Sequence, residues 1–317
     1  MTRTTGRLII VALLFAGISA CSSSSITSVP APYLAEPDNY VYFENGADLS
    51  DYLRFDRECG PLVSAHRGGP IPGFPENAIE TFRQSVRTGP VFLEVDVRFT
   101  VDSVLVLLHD ETLDRTTNGS GYIDETSFEA VRALHLRDQN GVLTPFQIPT
   151  LSEALAWSKG RAVVTLDVKR DVHPEHVVAT IREHNAEGFV IIIVYSTDDY
   201  RTYQNIAPDL VYSVSFESSD ELREFLFEWD SLQNVIAWTG VGYPDADIVD
   251  LVHQNNALAM AGTFGDLDSL ALEDPSIYGN FLMMGIDVIA TDQVQLASHV
   301  VNRERRNSVP KCSGLAR

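Results

Sequence analysis

The stretch that decides the fold is residues 91–97, which read VFLEVDV. Such a short, β-branched and nearly continuous apolar run is typical of a strand buried on both faces of a sheet. Comparable runs recur between polar loops and amphipathic helices, and the predicted strands are Leu62–Ala65, Val91–Val97, Val104–Leu108, Ala162–Val168, Val190–Tyr195, Leu210–Val214, Val235–Trp238, Leu258–Ala261 and Val288–Ala290. This alternation predicts an α/β protein, a single (β/α)8 barrel of the TIM type.

The number of predicted strands leaves one part of the barrel open. Nine runs compete for eight places, and residues 98–103 are too few for a crossover helix. Either one βα unit is degenerate or one run lies outside the barrel. Helix starts are predicted from Thr150 with Glu153, from Asn77 as an N-cap, and from Pro174 in a helix over residues 173–185.

The first twenty residues predict an export signal outside the fold. Arg3 and Arg7 precede an apolar stretch over residues 8–20, which is too short to span a bilayer comfortably. The small residues before Cys21 resemble a bacterial lipobox, which predicts cleavage before Cys21 and lipidation of its thiol. An ordinary signal peptide with an incidental cysteine is the alternative. We therefore expect an exported lipoprotein, anchored to the cell envelope on its periplasmic or outer surface.

The expected domain order follows from this signal. Residues 1–20 form the signal and 21–58 a tether and extension that could cover the barrel. Residues 59–312 form the barrel, close to the usual size of about 250 residues, and 313–317 a tail. Lipidation leaves Cys59 and Cys312, for which export permits a disulfide; two unrelated cysteines are the alternative. A net charge of −21 argues against a nucleic-acid partner.

Two of four polar clusters that follow predicted strands are His66-Arg67-Gly68-Gly69 and the Glu94/Asp96 pair. Barrel active sites lie at the carboxyl ends of the strands. An imidazole and a guanidinium offer a proton carrier and a phosphate clamp, and the glycines permit close backbone approach. Glu94 and Asp96 share one strand face, where two carboxylates repel unless a cation lies between them. The alternatives are a structural histidine and a solvated strand face.

The other two clusters are His109-Asp110 and Asp167-Val168-Lys169. His109 offers a second imidazole, while Asp110 is interpreted as a loop or capping residue. Asp167 and Lys169 project to one side of their strand and could complete a metal shell and bind a phosphate oxygen; a buried ion pair is the alternative. Together the clusters provide the groups that phosphoester chemistry requires.

Taken as an ordered set, these segments resemble the glycerophosphodiester phosphodiesterase family. The matching motifs, dense over residues 62–170, are His66-Arg67-Gly68, Pro75-Glu76-Asn77 with Glu80-Thr81-Phe82, Glu94-Val95-Asp96-Val97, His109-Asp110, Arg115-Thr116-Thr117, Ile148-Pro149-Thr150-Leu151, Asp167-Val168-Lys169 and Thr291-Asp292. The resemblance implies a barrel hydrolase for glycerophosphodiesters. One divalent cation, Ca²⁺ or Mg²⁺, is implied with it.

The resemblance also implies roles for individual residues. The implied acid and base are His66 and His109, the implied metal ligands Glu94, Asp96 and Asp167, and the implied phosphate contacts Arg67 and Lys169, with Glu76 as an acidic residue near the metal. The sequence departs from the family in three places. Asp167 replaces the usual Glu, Gln293-Val294 replaces the proline after Thr-Asp, and Trp238-Thr239 competes with Thr263-Phe264 for the seventh-strand aromatic position.

Two rival functions remain at this level. A lysophospholipase D or sphingomyelinase D type of lipid phosphodiesterase is one, although no apolar docking loop is evident in the sequence. A binding lipoprotein that kept the barrel without turnover is the other. The complete set of His66, His109, Glu94 and Asp96 argues against it.

Overall fold

The computed structural model describes residues 42–55 and 60–307, so the expected signal, tether, tail and all three cysteines lie outside the described residues. The strands are β1 Leu62–Ala65, β2 Val91–Phe99, β3 Leu105–Leu107, β4 Val163–Val168, β5 Val190–Val194, β6 Val211–Ser215, β7 Val235–Val241, β8 Leu258–Gly262 and β9 Val288–Thr291. The helices are α1 Gly46–Tyr52, α2 Ile79–Ser85, α3 Phe128–Arg132, α4 Leu151–Ser158, α5 Pro174–His184, α6 Thr197–Ile206, α7 Ser219–Trp229, α8 Ala246–Gln254, α9 Asp266–Ala271, α10 Ser276–Met283 and α11 Val294–Asn307.

Eight parallel strands close into the predicted barrel. β1 pairs with both β2 and β9, and β4 to β9 follow in chain order around the ring. The ninth run, β3, pairs antiparallel with β2 outside the ring. No unit is degenerate, because α4 serves as the crossover helix between β2 and β4. The possible degenerate unit is therefore wrong, and the surplus strand is a hairpin partner.

The segment between β2 and β4 has a small core of its own. Phe74, Val106, Leu113, Ile123 and Ile148 are buried together, apart from the main barrel core. This cluster fixes the loop that follows β3 against the barrel. A hairpin inserted into the second βα unit thus carries functional candidates to the same end of the barrel as the strand ends.

Two predicted helix starts are confirmed and one is wrong. Thr150 and Glu153 form a reciprocal capping box on α4, and Pro174 occupies the first turn of α5. Asn77 is not an N-cap: α2 begins after Ala78, which makes no side-chain cap, and Asn77 adopts a left-handed conformation with φ 57°. Its side chain turns inward to the barrel.

Helix α1 covers the amino end of the barrel. Leu49, Tyr52 and Leu53 are buried in the main core, and the Phe55 amide donates to the Asn256 carbonyl just before β8. This part of the extension therefore lies opposite the carboxyl-end mouth. Within residues 42–55 and 60–307, no helix combines the length and the apolar character needed to cross a membrane.

Candidate active site

The carboxyl ends of four strands bring the predicted residues together. Strands β2 and β4 run in parallel register with Asp96 beside Asp167, so both carboxylates point into the barrel at one level. His66 follows β1 and shares with Glu94 and Asp167 a cavity of about 280 Å³. The sequence therefore located the mouth of the site correctly.

Three carboxylates converge in this mouth. Each of Glu94, Asp96 and Asp167 offers an oxygen within 4.8 Å of the others. Two donors from outside β2 fix the pair on that strand: the Arg67 amide donates to Glu94 Oε2 at 2.6 Å, and Asn77 Nδ2 donates to Asp96 Oδ2 at 2.7 Å. Preorganised oxygen atoms at this spacing fit a single hard cation.

The electrostatics of the carboxylates also fit a cation. Burial, and after it the neighbouring Asp96, raises the pKa of Glu94 well above its usual range. Burial acts in the same direction on Asp96, but Lys169 and the hydrogen bond from Asn77 outweigh it and lower the Asp96 pKa. The site therefore carries more negative charge than its own groups neutralise, which a bound divalent cation would relieve.

Lys169 is an ion-pair partner in this structure. Its Nζ lies 2.6 Å from Asp96 Oδ1 and 2.5 Å from Asp167 Oδ2. Burial lowers the pKa of Lys169, but the two carboxylates outweigh burial and raise it. The buried ion pair considered from the sequence is thus present. Since each carboxylate oxygen has two lone pairs, the pair does not prevent the same carboxylates from binding a cation.

Tyr195 holds the third carboxylate. Its hydroxyl donates to Asp167 Oδ1, while Lys169 contacts Oδ2, so both oxygens of this short side chain are fixed. Burial, followed by the charge of Asp167, raises the pKa of Tyr195 and keeps its phenol protonated. The sequence analysis missed Tyr195. Its place directly after a predicted strand was the signal that could have found it.

Arg67 occupies a strained turn at the end of β1. Its φ of 51° is rare for a residue other than glycine. This conformation turns the Arg67 amide toward Glu94, and the Asn77 amide donates to the Arg67 carbonyl. Among the described residues, the buried Nε of Arg67 has no hydrogen-bond partner. A guanidinium with a free buried donor beside the carboxylates fits an incoming phosphate oxygen.

The paired glycines do not approach a ligand. A Cβ at Gly68 would lie 2.4 Å from the Phe82 ring, and one at Gly69 would lie 2.5 Å from the Ser85 hydroxyl. Both have positive φ. The expectation of a close backbone–ligand contact is wrong, and the glycines instead allow the turn to pack against α2.

His66 is held from within the barrel. Its Nδ1 lies 2.7 Å from Asp292 Oδ1, and its ring stacks on Phe264 with centroids 4.4 Å apart. Burial would lower the pKa of His66, but the hydrogen bond with Asp292 and the negative charge of Glu94 outweigh burial and raise it. With Nδ1 engaged by a carboxylate, Nε2 is the nitrogen left for chemistry.

His109 is held from outside the barrel by a chain of charges. Its Nδ1 lies 2.8 Å from Asp110 Oδ1, and Arg115 Nε donates to Asp110 Oδ2 at 2.7 Å. Arg115 also donates to both oxygens of Glu76 at 2.8 Å, and Arg67 Nη1 lies 3.3 Å from the same carboxylate. The interpretation of Asp110 as a loop or capping residue is wrong, because it orients His109.

Glu76 therefore joins two arginines and is not one of the three clustered carboxylates. Arg115 holds the pKa of the Asp110 carboxyl well below its usual range, and Glu76 and Asp110 raise the pKa of Arg115. The sequence showed Arg115 and Asp292 only as motif positions. The strand-end rule could have identified Asp292, since it directly follows β9.

One wall of the cavity is apolar. Phe264 follows β8, the seventh strand of the ring, and stacks at 6.0 Å on Trp238 from β7. A Cβ at Gly262 would lie 2.7 Å from the Trp238 ring, so a glycine on β8 leaves room for this side chain. The Thr263-Phe264 segment thus takes the seventh-strand place, and Trp238 enters from the sixth strand. Beside the cavity, Tyr195 also borders an open groove of about 520 Å³.

Comparisons with known proteins agree with this geometry. The profile of the glycerophosphoryl diester phosphodiesterase family matches residues 66–263. A glycerophosphodiester phosphodiesterase of Caldanaerobacter subterraneus subsp. tengcongensis is 32% identical over 163 residues, which are 49% of this chain and 67% of that protein. Mouse glycerophosphodiester phosphodiesterase 1 is 44% identical over 94 residues, 29% of this chain and 28% of that protein. The chain thus spans two thirds of the first relative and about a quarter of the second.

Solved structures share the barrel. A glycerophosphoryl diester phosphodiesterase from Parabacteroides distasonis superposes with a TM-score of 0.80 at 28% identity, covering 84% of this chain and 94% of that one. A phosphodiesterase from Oleispira antarctica, solved with the product sn-glycerol-3-phosphate, has a TM-score of 0.59 at 21% identity, covering 77% of this chain and 97% of that one. The resemblance drawn from the sequence motifs is confirmed: the chain belongs to the glycerophosphoryl diester phosphodiesterase family.

Proposed function

We propose that this protein hydrolyses glycerophosphodiesters to glycerol phosphate and an alcohol, with a divalent cation and a pair of histidines. The observation that carries the proposal is the convergence of three carboxylates and two carboxylate-supported imidazoles at one barrel mouth. The Oleispira relative was captured with sn-glycerol-3-phosphate, which is the product class expected here.

Glu94, Asp96 and Asp167 would hold the cation, and Ca²⁺ or Mg²⁺ suits their hard oxygens. When bound, the cation supplies charge stabilisation for the phosphate oxygens. Arg67 and Lys169 lie beside the same carboxylates and supply two cationic groups for the phosphate. Binding of the diester between them would draw Lys169 partly away from its carboxylate partners.

His66 and His109 are the proposed acid and base. One imidazole takes the proton of the attacking hydroxyl or water, and the other donates a proton to the departing alkoxide. Each presents Nε2, because each Nδ1 is engaged by an aspartate, Asp292 or Asp110. Since the two imidazoles are supported independently, they can hold opposite protonation states at one pH.

The test is a substrate panel on the full-length protein in detergent. We expect glycerophosphocholine and glycerophosphoethanolamine to release glycerol phosphate, and we expect exhaustive chelation to abolish the reaction until Mg²⁺ or Ca²⁺ is restored. Full activity in protein shown to be metal-free would overturn the cation, and no turnover of any glycerophosphodiester would overturn the activity.

The lipid phosphodiesterase remains a second candidate because of the apolar cavity wall. Ile193, Trp238, Met260 and Phe264 line the cavity, and Val241 lines it while being 56% exposed at the rim. The sequence showed no apolar docking loop, yet the rim carries apolar surface. Lysophosphatidylcholine in the same panel decides between them: a higher kcat/KM for it than for glycerophosphocholine would favour the lipid substrate.

An envelope location and a membrane anchor at Cys21 are also proposed. Their support is the charged and apolar order of residues 1–20, followed by a cysteine. Mass analysis of the protein isolated from bacterial membranes should find a lipidated Cys21 at the mature amino terminus. Release of the protein as a soluble species with an unmodified Cys21 would contradict the anchor.

A Cys59–Cys312 disulfide is the last of these proposals. Its support is that Arg305 Nη1 donates to the Pro61 carbonyl at 3.0 Å, so chain near each cysteine meets at one place. A bridge across nearly the whole barrel would stabilise it by about 4–5 kcal/mol in the chain-entropy picture. Peptide mapping under non-reducing conditions should find the linked pair, and two free thiols would end the proposal.

A further inference from the structure

Asp268 on α9 is a buried carboxylate behind the catalytic mouth, 2% exposed. Its Oδ1 accepts the hydroxyls of Thr263, Tyr278 and Thr291 at 2.7, 2.9 and 2.6 Å. Its Oδ2 accepts the main-chain amide of Asp292 at 2.7 Å. Burying a carboxylate is costly unless donors satisfy it, and here four donors do so.

The amide of Asp292 links this buried group to the catalytic histidine. The side chain of the same residue accepts from His66 Nδ1 at 2.7 Å. The neighbouring Thr291 hydroxyl accepts the Gln293 amide at 3.0 Å while it donates to Asp268. The turn that carries the His66 partner is therefore fixed through one buried carboxylate.

We propose that Asp268 is a positioning residue for His66, acting through Asp292, and this inference rests on the catalytic role of His66 proposed above. Asp268 touches neither the cavity lining nor the clustered carboxylates. It sets the direction of the Asp292 carboxylate, and hence which ring nitrogen of His66 faces the mouth. Asp292 needs this support because its side chain is 40% exposed.

The four contacts differ in how easily they could be replaced. Hydroxyl groups rotate, and Thr263 already lies 3.2 Å from the Ala290 carbonyl as a second acceptor. A main-chain amide has a fixed direction, so Asp292 follows any displacement of the Asp268 carboxylate. An error of about 1 Å in such a support can cost about 10²-fold in rate.

The charged groups that act on His66 besides Asp292 are Glu94 and Arg67. Neither contacts Asp268. A change at Asp268 should therefore alter the Asp292 contribution to the titration of His66 and leave the other two in place. Titration of His66 thus separates a positioning role from a general loss of stability.

The experiment compares Asp268→Asn with Asp287→Asn in the full-length protein. Asp287 is the matched control: it precedes β9 at the amino end, accepts the Ala259 amide at 2.8 Å and lies 2.9 Å from His253 Nε2. We expect Asp268→Asn to lower kcat by about 10-fold or more with little change in KM. Histidine NMR of metal-free protein should show His66 titrating at lower pH. Asp287→Asn should change neither.

An unmoved His66 titration in folded Asp268→Asn would overturn the proposal, as would the same shift in Asp287→Asn. If Asp268→Asn does not fold, Thr291→Val removes one donor and gives a smaller shift in the same direction, and no shift there would also overturn it. Because the titration needs no substrate, it remains decisive for positioning even if the wild type fails to hydrolyse glycerophosphodiesters.

Discussion

The two catalytic candidates are supported by two different parts of the molecule. His66 ends a barrel strand, is 21% exposed, and contacts Asp292, which a buried hydrogen-bond network holds. His109 follows the hairpin strand outside the ring, is 36% exposed, and contacts Asp110, which Arg115 holds. The barrel side is thus fixed by buried hydrogen bonds, and the hairpin side by ion pairs near the surface.

This difference teaches how one fold can hold two imidazoles at one mouth. Buried contacts are weakly screened, whereas ion pairs of half-exposed groups weaken with salt. The barrel side should therefore behave as a rigid element and the hairpin side as an adjustable one. Substitutions on the two sides should differ in size and in salt dependence.

The largest expected effect is loss of either imidazole. His66→Ala and His109→Ala should each lower kcat by about 10² or more while the protein stays folded, since positioned proton transfer contributes about 10²–10⁴-fold. His253→Ala is the control, because His253 also contacts an aspartate, Asp287, but at the amino end of the barrel. Near-normal turnover in either first variant would remove that histidine from the mechanism.

Removal of the barrel-side support should come next. Asp292→Asn should lower kcat by about 10-fold or more, because the His66 ring loses the carboxylate that fixes its tautomer. The folded pKa of His66 is raised, so this pair contributes stability that is present below the ordinary histidine pKa and lost as pH rises through the folded value. Denaturant unfolding should thus show a larger destabilisation at about pH 5.5 than at about pH 9. Equal destabilisation at both would contradict the assigned pair.

The metal side of the barrel offers a third test. Asp167→Glu should stay folded but change the Mg²⁺/Ca²⁺ preference, because one methylene moves the carboxylate by about 1.5 Å and Mg²⁺ tolerates displacement less. Tyr195→Phe should weaken cation binding by about 10-fold in calorimetry, as loss of an outer contact to a ligand does. In the Asp167→Glu background it should add less, since the longer side chain leaves the Tyr195 contact. Tyr243→Phe at the rim is the control, and an unchanged metal profile would place Asp167 outside the ligand set.

The smallest effect is expected on the hairpin side. Arg115→Gln should lower kcat/KM by up to about fivefold at low salt, the worth of a half-exposed ion pair. The difference from wild type should shrink in about 1 M salt, where the Debye length is about 3 Å. Arg182→Gln, which removes a comparable arginine bridging Glu187 and Asp209, is the control. A larger, salt-independent loss would mean that both sides are equally rigid.

Sequence reasoning reached the barrel and most of the mouth because both follow from local patterns. The strand Leu62–Ala65 was predicted at its observed bounds, and the spacing of Glu94 and Asp96 implies one strand face. What it misassigned depends on contacts between distant segments. Asn77 was predicted as a helix cap, but it reaches 19 residues along the chain to Asp96.

The remaining misses have the same cause. Asp292 lies 226 residues from the histidine that it supports, and Tyr195 lies 28 residues from Asp167. No local pattern specifies such pairs. The surplus strand was undecidable because Leu105–Leu107 is as apolar as a barrel strand and differs only in its antiparallel pairing.

The most direct test of the acid/base pair is a change of leaving group. The full-length wild type, His66→Ala and His109→Ala are compared on glycerophosphocholine and on glycerophospho-p-nitrophenol, whose leaving group needs no proton at neutral pH. The acid/base pair predicts that one variant regains nearly the wild-type rate on the activated substrate, while the other stays impaired on both. Equal impairment of both variants on both substrates would contradict the division of the two histidines into an acid and a base.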